Sequence, residues 1–108
     1  KEKAIKEVLK NNGLPDKSRE KVARYIKKEK PEESIKIYDF LVKKYISYSV
    51  RGAYAVAAQH SQSIREVYLN ILKDARSWEK YLEKIKTENY KKSALIQELN
   101  KFNKNGKR

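Results

Sequence analysis

From Pro31 to Tyr48 the apolar side chains recur every three or four positions, so that Ile35, Tyr38, Leu41, Val42, Tyr45 and Ile46 share one broad face of a helix. Ile37 and Phe40 fall off that face. A helix that is apolar beyond one stripe must be contacted from two sides, so this segment is expected at the centre of the fold. Pro31 suits the first turn, where its missing N–H costs nothing, and Glu32 and Glu33 favour the positive helix end. No alternating two-residue pattern of convincing length occurs anywhere, which points to an all-α fold.

The flanking segments repeat the helical pattern. Ala4, Ile5, Val8 and Leu9 mark a first helix over about Glu2–Asn12, closed by Asn12-Gly13 and Leu14-Pro15. Asp16 or Ser18 can cap a second, with Val22, Ala23, Tyr25 and Ile26 inward to about Glu29. From Val50 to Ala75 a single stripe persists through Ala53, Ala57, Ile64, Tyr68 and Ile71. One long helix is the economical reading, and two helices broken at the polar Gln59–Ser63 stretch the alternative. Its first half (Gly52, Ala53, Ala55, Ala57, Ala58) is small-sided, which permits close approach by a neighbour. Arg76-Ser77 reads as a joint with Ser77 as cap, followed by a stripe of Trp78, Tyr81, Leu82 and Ile85. Asn89–Lys92 reads as a turn, and Ser93 can cap a last helix bearing Leu95, Leu99 and Phe102. The sum is about six antiparallel helices in stacked hairpins, either tetratricopeptide-like or an irregular bundle. They form one domain over residues 1–102, with a frayed basic tail at 103–108.

Chemistry-bearing patterns are scarce. With 108 residues and no Cys, the chain has no disulfide, no thiolate zinc site and no cysteine nucleophile. His60 is the single histidine, so no His pair can hold a metal, and it reads as a packed core histidine. Ser61 and Ser63 follow it, but no third orienting group can be named for a triad. Three isolated Gly cannot build a phosphate-cradling loop. The expectation is a noncatalytic chain without cofactor or metal. No apolar run approaches the roughly 18 residues of a membrane span, and no signal-peptide core is present, so a cytoplasmic location without membrane contact is expected. The chain contains no Met, and an initiator before Lys is normally retained, so Lys1 reads as an internal residue of a longer protein.

The formal charge of +13 is unevenly spread. Residues 1–30 hold 11 basic and 5 acidic side chains, residues 31–75 hold 6 and 5, and residues 76–108 hold 10 and 4. The excess therefore sits at the two ends. Candidate polyanion contacts are Arg76, Lys80, Lys84, Lys91 and Lys92, with Tyr90 placed to stack on an unpaired base. The competing reading is a set of solvated helix faces. In its favour, 21 of the 27 basic residues are Lys, whereas base-edge recognition leans on Arg. Glu2–Lys6, Glu20–Arg24, Glu32–Lys36 and Asp39–Lys43 also stand in the helix-supporting order, acid four residues before base. Between Glu79 and Lys84 like charges line up instead, which keeps that flank of interest.

In the last third, Trp78-x2-Tyr81-Leu82-x2-Ile85 and Tyr90-Lys91-Lys92-x-Ala94-Leu95-x3-Leu99 resemble the closing segment of bacterial SWIM zinc-finger proteins. Pro31-Glu32-Glu33-Ser34-Ile35-x2-Tyr38 and Ala53-Tyr54-x2-Ala57-Ala58 look like that family's paired helices. The resemblance implies a tetratricopeptide-like region following an upstream zinc module, and DNA or protein partners. The family's three Cys and one His ligands have no counterpart here, so no metal site carries over. Two functions remain open at this stage. The first is a helical module whose groove holds a protein or peptide, and the second is a basic nucleic-acid-binding domain.

Overall fold

The computed structural model describes residues 15–106, with side chains over 15–101. The helix expected over Glu2–Asn12 lies outside the described residues. Among the described residues there are five α-helices and no strand: α1 (Asp16–Ile26), α2 (Pro31–Ser47), α3 (Arg51–Glu66), α4 (Ala75–Glu88) and α5 (Ser93–Gly106). A π-helical turn, Val67–Ile71, prolongs α3. The fold is therefore all-α, and α5 continues into the segment expected as a tail. Its extents of 38 × 31 × 19 Å include one dimension close to two helix diameters of about 10 Å, so the helices stack in two layers. No described helix is long and apolar enough to cross a membrane.

Helix α2 is central, as its two-sided apolar pattern predicts. Ile37, Leu41 and Val42 are fully buried in it, and it packs against both α1 and α3. Burying such side chains contributes roughly 1.5–3 kcal/mol each. Ser34, also fully buried, donates its hydroxyl to the Ala23 carbonyl at 2.8 Å and so ties α1 to α2. On α3 the buried face carries Ala53, Ala57, Ala58 and Ser61, small enough for the α2 backbone to come close.

Helix α1 departs from its expected register. Tyr25 is 72% exposed, and its expected place inside is taken by Arg19, 1% exposed. Arg19, Ala23 and Ile26 lie within one arc, whereas Tyr25 points well away from it. The Arg19 guanidinium lies 4.4 Å from the centre of the Phe40 ring and 3.6 Å from the Asp16 carboxylate, so the buried charge has partners. Asp16 does not cap its own helix, which begins after an extended Pro15. Its carboxylate instead accepts from Lys44 at 2.8 Å and from the Tyr45 hydroxyl on α2.

The long helix expected over Val50–Ala75 ends early. Val50 is the cap position and is exposed, and the α-helical ladder gives way to the π turn at Val67. There the Leu72 N–H donates to the Val67 carbonyl, five residues back. Lys73 then takes a left-handed φ of 55°, and the Asp74 N–H reaches back to the Tyr68 carbonyl at 2.8 Å. The break thus falls at 72–74 rather than in the polar Gln59–Ser63 stretch, which stays helical.

The cap of α4 is Asp74, not Ser77. Its Oδ1 accepts from the Ser77 N–H at 3.1 Å and its Oδ2 from the Ser77 hydroxyl at 2.6 Å, contacts that hold its carboxyl below the usual range. At α5 the Ile96 N–H donates to the Lys92 carbonyl, so Lys92 rather than Ser93 occupies the cap position. Asp74→Ala is expected to lower the melting temperature by about 4–8 °C. Ser77→Ala keeps the backbone donor and is expected to lose less than half as much. Equal losses in a calorimetric comparison would return the cap to Ser77.

Candidate functional site

The α2–α3 hairpin packs α5 against α3, and the π turn brings α4 beside α2. Ser77 shares a cavity with Glu32, Ile35 and Lys36, Tyr81 meets Asp39, and Glu88 shares a cavity with Lys43. Numbers rise together along the pair, so α2 and α4 run parallel. Their backbones approach each other far less than those of α2 and α3 do. Tyr81 and Ile85 of α4 stand against Ile35 and Asp39 of α2 and leave a groove along the joint.

Two cavities, of about 430 Å³ and about 160 Å³, form this groove and share Ile35 and Lys36. The larger is lined also by Tyr68 and Leu72 from the π turn and its end, and the smaller by Tyr81 and Ile85. In the wall of the smaller cavity the Tyr81 hydroxyl donates to Asp39 Oδ1 at 2.8 Å, while Lys43 lies 3.0 Å from Asp39 Oδ2. This bridge fixes the width of the groove. Burial, with the adjacent Asp39 charge, raises the Tyr81 hydroxyl well above its usual range, so it stays protonated and donating.

The nucleic-acid candidates fall in two places. Arg76, Lys80 and Lys84 form a row at one-turn spacing on the exposed flank of α4, and Lys84 lines the groove. Tyr90, Lys91 and Lys92 lie in the turn beyond α4. Tyr90 is 70% exposed with the Lys91 ammonium 5.8 Å from its ring centre, whereas Lys92 reaches Ser49 in the α2–α3 turn at 3.4 Å. Of the eleven basic side chains in residues 1–30, seven fall within the described residues, on α1 and in the turn that follows it.

His60 is buried where three helices meet, its ring 6.2 Å from Tyr38 and 5.9 Å from Tyr45. Burial holds its imidazole below the usual pKa in spite of Glu20 and Asp16 on α1. Ser61 donates to the Ala58 carbonyl of its own helix. Tyr45, whose hydroxyl donates to Asp16, is pushed up to about 12. Among the described residues no group of three or more His, Asp or Glu is placed to hold a metal ion.

Comparison with family models, curated proteins and solved structures finds no match to this chain. The resemblance to SWIM zinc-finger proteins is therefore corrected, since no family supports it and the chain lacks both cysteine and a metal cluster among the described residues. Its carrying residues have a simpler cause: Trp78, Leu82, Ile85, Leu95 and Leu99 are core positions of two amphipathic helices. The DNA partner implied by that resemblance falls with it, and of the expected cytoplasmic location the structure supports only that no described helix crosses a membrane. What stands is an all-α module with no membrane-crossing helix among the described residues.

Sequence reasoning placed Lys84 at a site and missed Ile35, Asp39, Tyr68, Leu72 and Glu88 as groove positions. Asp39–Lys43 was legible as a helix-supporting pair, but its bond to Tyr81 joins residues 42 apart and has no local signature.

The His60 environment sets a pH dependence. Its folded pKa lies below the unfolded value of 6.5, so the unfolded chain binds the proton first and stability falls as pH drops below 6.5. Urea midpoints are expected to fall between pH 7 and 5, with a slope of at most one proton, and His60→Phe is expected to flatten it. An unchanged slope in the variant would place the titrating group elsewhere. Asp16 acts lower, because its stabilisation is lost only as pH falls below 3.8 through its depressed folded value.

Proposed function

We propose that the chain is a noncatalytic helical interaction module whose α2–α4 groove holds a peptide segment of a protein partner. The observation that carries this reading is the groove itself: an open apolar floor of Ile35, Tyr68, Leu72 and Ile85, held at fixed width by the Tyr81–Asp39 bridge. Its larger cavity lies within the roughly 300–1,000 Å³ typical of ligand sites. Surfaces between stacked helices suit side-chain anchors from a partner segment, because the walls are rigid elements and the floor is already desolvated in part. The lone buried histidine and the self-bonded Ser61 favour a packing role for that region over catalysis.

A photo-crosslinking amino acid placed at Lys36 or Lys84 is expected to trap protein from a lysate of the source cells, with yields unaffected by nuclease. The same group at Gln59, exposed on α3, is expected to give at least fivefold less. Equal yields at all three positions, or products that vanish with nuclease, would contradict the groove reading.

A further inference from the structure

We propose that residues 2–12 of the chain itself occupy the α2–α4 groove, as a built-in competitor that a partner segment must displace. Only the competition rests on the groove reading above. Helix α2 leaves one strip uncovered. On one side α1 reaches Phe40 and Lys44 through Arg19 and Asp16, and on the other α4 reaches Asp39 through Tyr81. Between those contacts Glu32, Lys36 and Lys43 stand exposed in a line along α2, beside the apolar floor of Ile35 and Ile85.

Residues 2–12 suit that strip in pattern, direction, length and charge. Ala4, Ile5, Val8 and Leu9 recur at the spacing of one helical face, and Asn12-Gly13-Leu14-Pro15 is turn chemistry fit for a helical hairpin. Helix α1 runs antiparallel to α2, because Asp16 meets Lys44 near one end and the Ala23 carbonyl meets Ser34 near the other. A hairpin with α1 therefore sends residues 2–12 parallel to α2, with Asn12 level with Lys43 and Glu2 level with Glu32. As a helix they rise about 16 Å, and the α2 wall from Glu32 to Lys43 rises about the same. The groove is also more acidic than the molecule around it. Its lining carries four carboxylates, Glu32, Asp39, Asp74 and Glu88, against three lysines, whereas residues 15–101 carry 20 basic and 12 acidic side chains. Residues 2–12 bring Lys3, Lys6 and Lys10 against Glu2 and Glu7, an excess of the opposite sign to that of the lining. Covalent attachment at Pro15 adds a high effective concentration.

The chain has no Cys, so introduced cysteine pairs report the contact in the full chain. Ile5→Cys with Lys36→Cys tests the α2 wall, and Leu9→Cys with Lys84→Cys the α4 wall. With oxidised glutathione both pairs are expected to close an intramolecular disulfide, read by peptide mass, about tenfold faster than Ile5→Cys with Gln59→Cys on the exposed side of α3. Adding Val8→Asp is expected to slow both pairs to the control rate, because it places a charge on the apolar face. Closure no faster than the control would overturn the proposal. Closure untouched by Val8→Asp would overturn it too, by assigning the rate to the tether alone, and disulfide-linked dimers in place of the internal bridge would overturn it in favour of a second copy. For the competition, Val8→Asp is expected to raise photo-crosslinking to a partner from position 84 about threefold. Closure of both pairs with that yield unchanged would keep the segment in the groove and overturn the competition. Closure with no partner captured by either chain would overturn the competition and the partner reading, and leave the internal contact standing.

Discussion

Helices α2 and α3 form the most extensive helix–helix contact of the fold, and four of the seven buried residues of α3 are small. Ile37, Leu41 and Val42 are enclosed on one side of it, and Ala53, Ala57, Ala58 and Ser61 supply the other. Small residues let helix axes approach toward the lower end of the usual 8–10 Å range. Among these small residues His60 of α3 meets Tyr38 and Tyr45 of α2. On its other flank α2 faces Tyr81 and Ile85 of α4, whose size keeps the two backbones apart. The groove is thus a consequence of side-chain volume: one neighbour is drawn in and the next is held off.

The π turn supplies the remaining wall. A continuous α-helix through Val67–Ile71 would carry the chain straight on, but the wider turn followed by left-handed Lys73 reverses it within three residues. Tyr68 and Leu72 consequently line the larger cavity, and Asp74 arrives in position to start α4. Far from the groove, Arg51 holds α5 through Glu98 at 3.1 Å and Gln97 at 2.9 Å, with Lys101 also on Glu98. That cluster closes the second layer without drawing on residues of the groove.

Much of this could be read in the sequence, and the exceptions share a cause. The centrality of α2 was visible because Ile37 and Phe40 break a single-face pattern, and the close α2–α3 contact because small residues cluster in Gly52–Ala58. The first-turn role of Pro31 followed from its fixed φ. Local periodicity could not place Arg19 inside or Tyr25 outside, since Asp16 one turn back is a local partner but the Phe40 ring that also faces the buried guanidinium belongs to α2 and is brought there by tertiary packing. It also missed the break at 72–74, which carries no Gly or Pro and uses a left-handed Lys. The candidate site suffered most. Lys84 was singled out by its charge row, but a groove is defined by what faces it from another helix, and the pairing of Asp39 with Tyr81 is invisible until the helices are stacked.

If the α2–α3 seam is the platform and α4 a held-off wall, their backbones must differ in local stability. Native-state amide hydrogen exchange measures this directly. Amides around Leu41–Val42 and Ala57–Ala58 are expected to exchange only through global unfolding, while those of Tyr81–Ile85 open at a distinctly lower free energy. Uniform protection across the three helices, or slowest exchange in α4, would contradict the account.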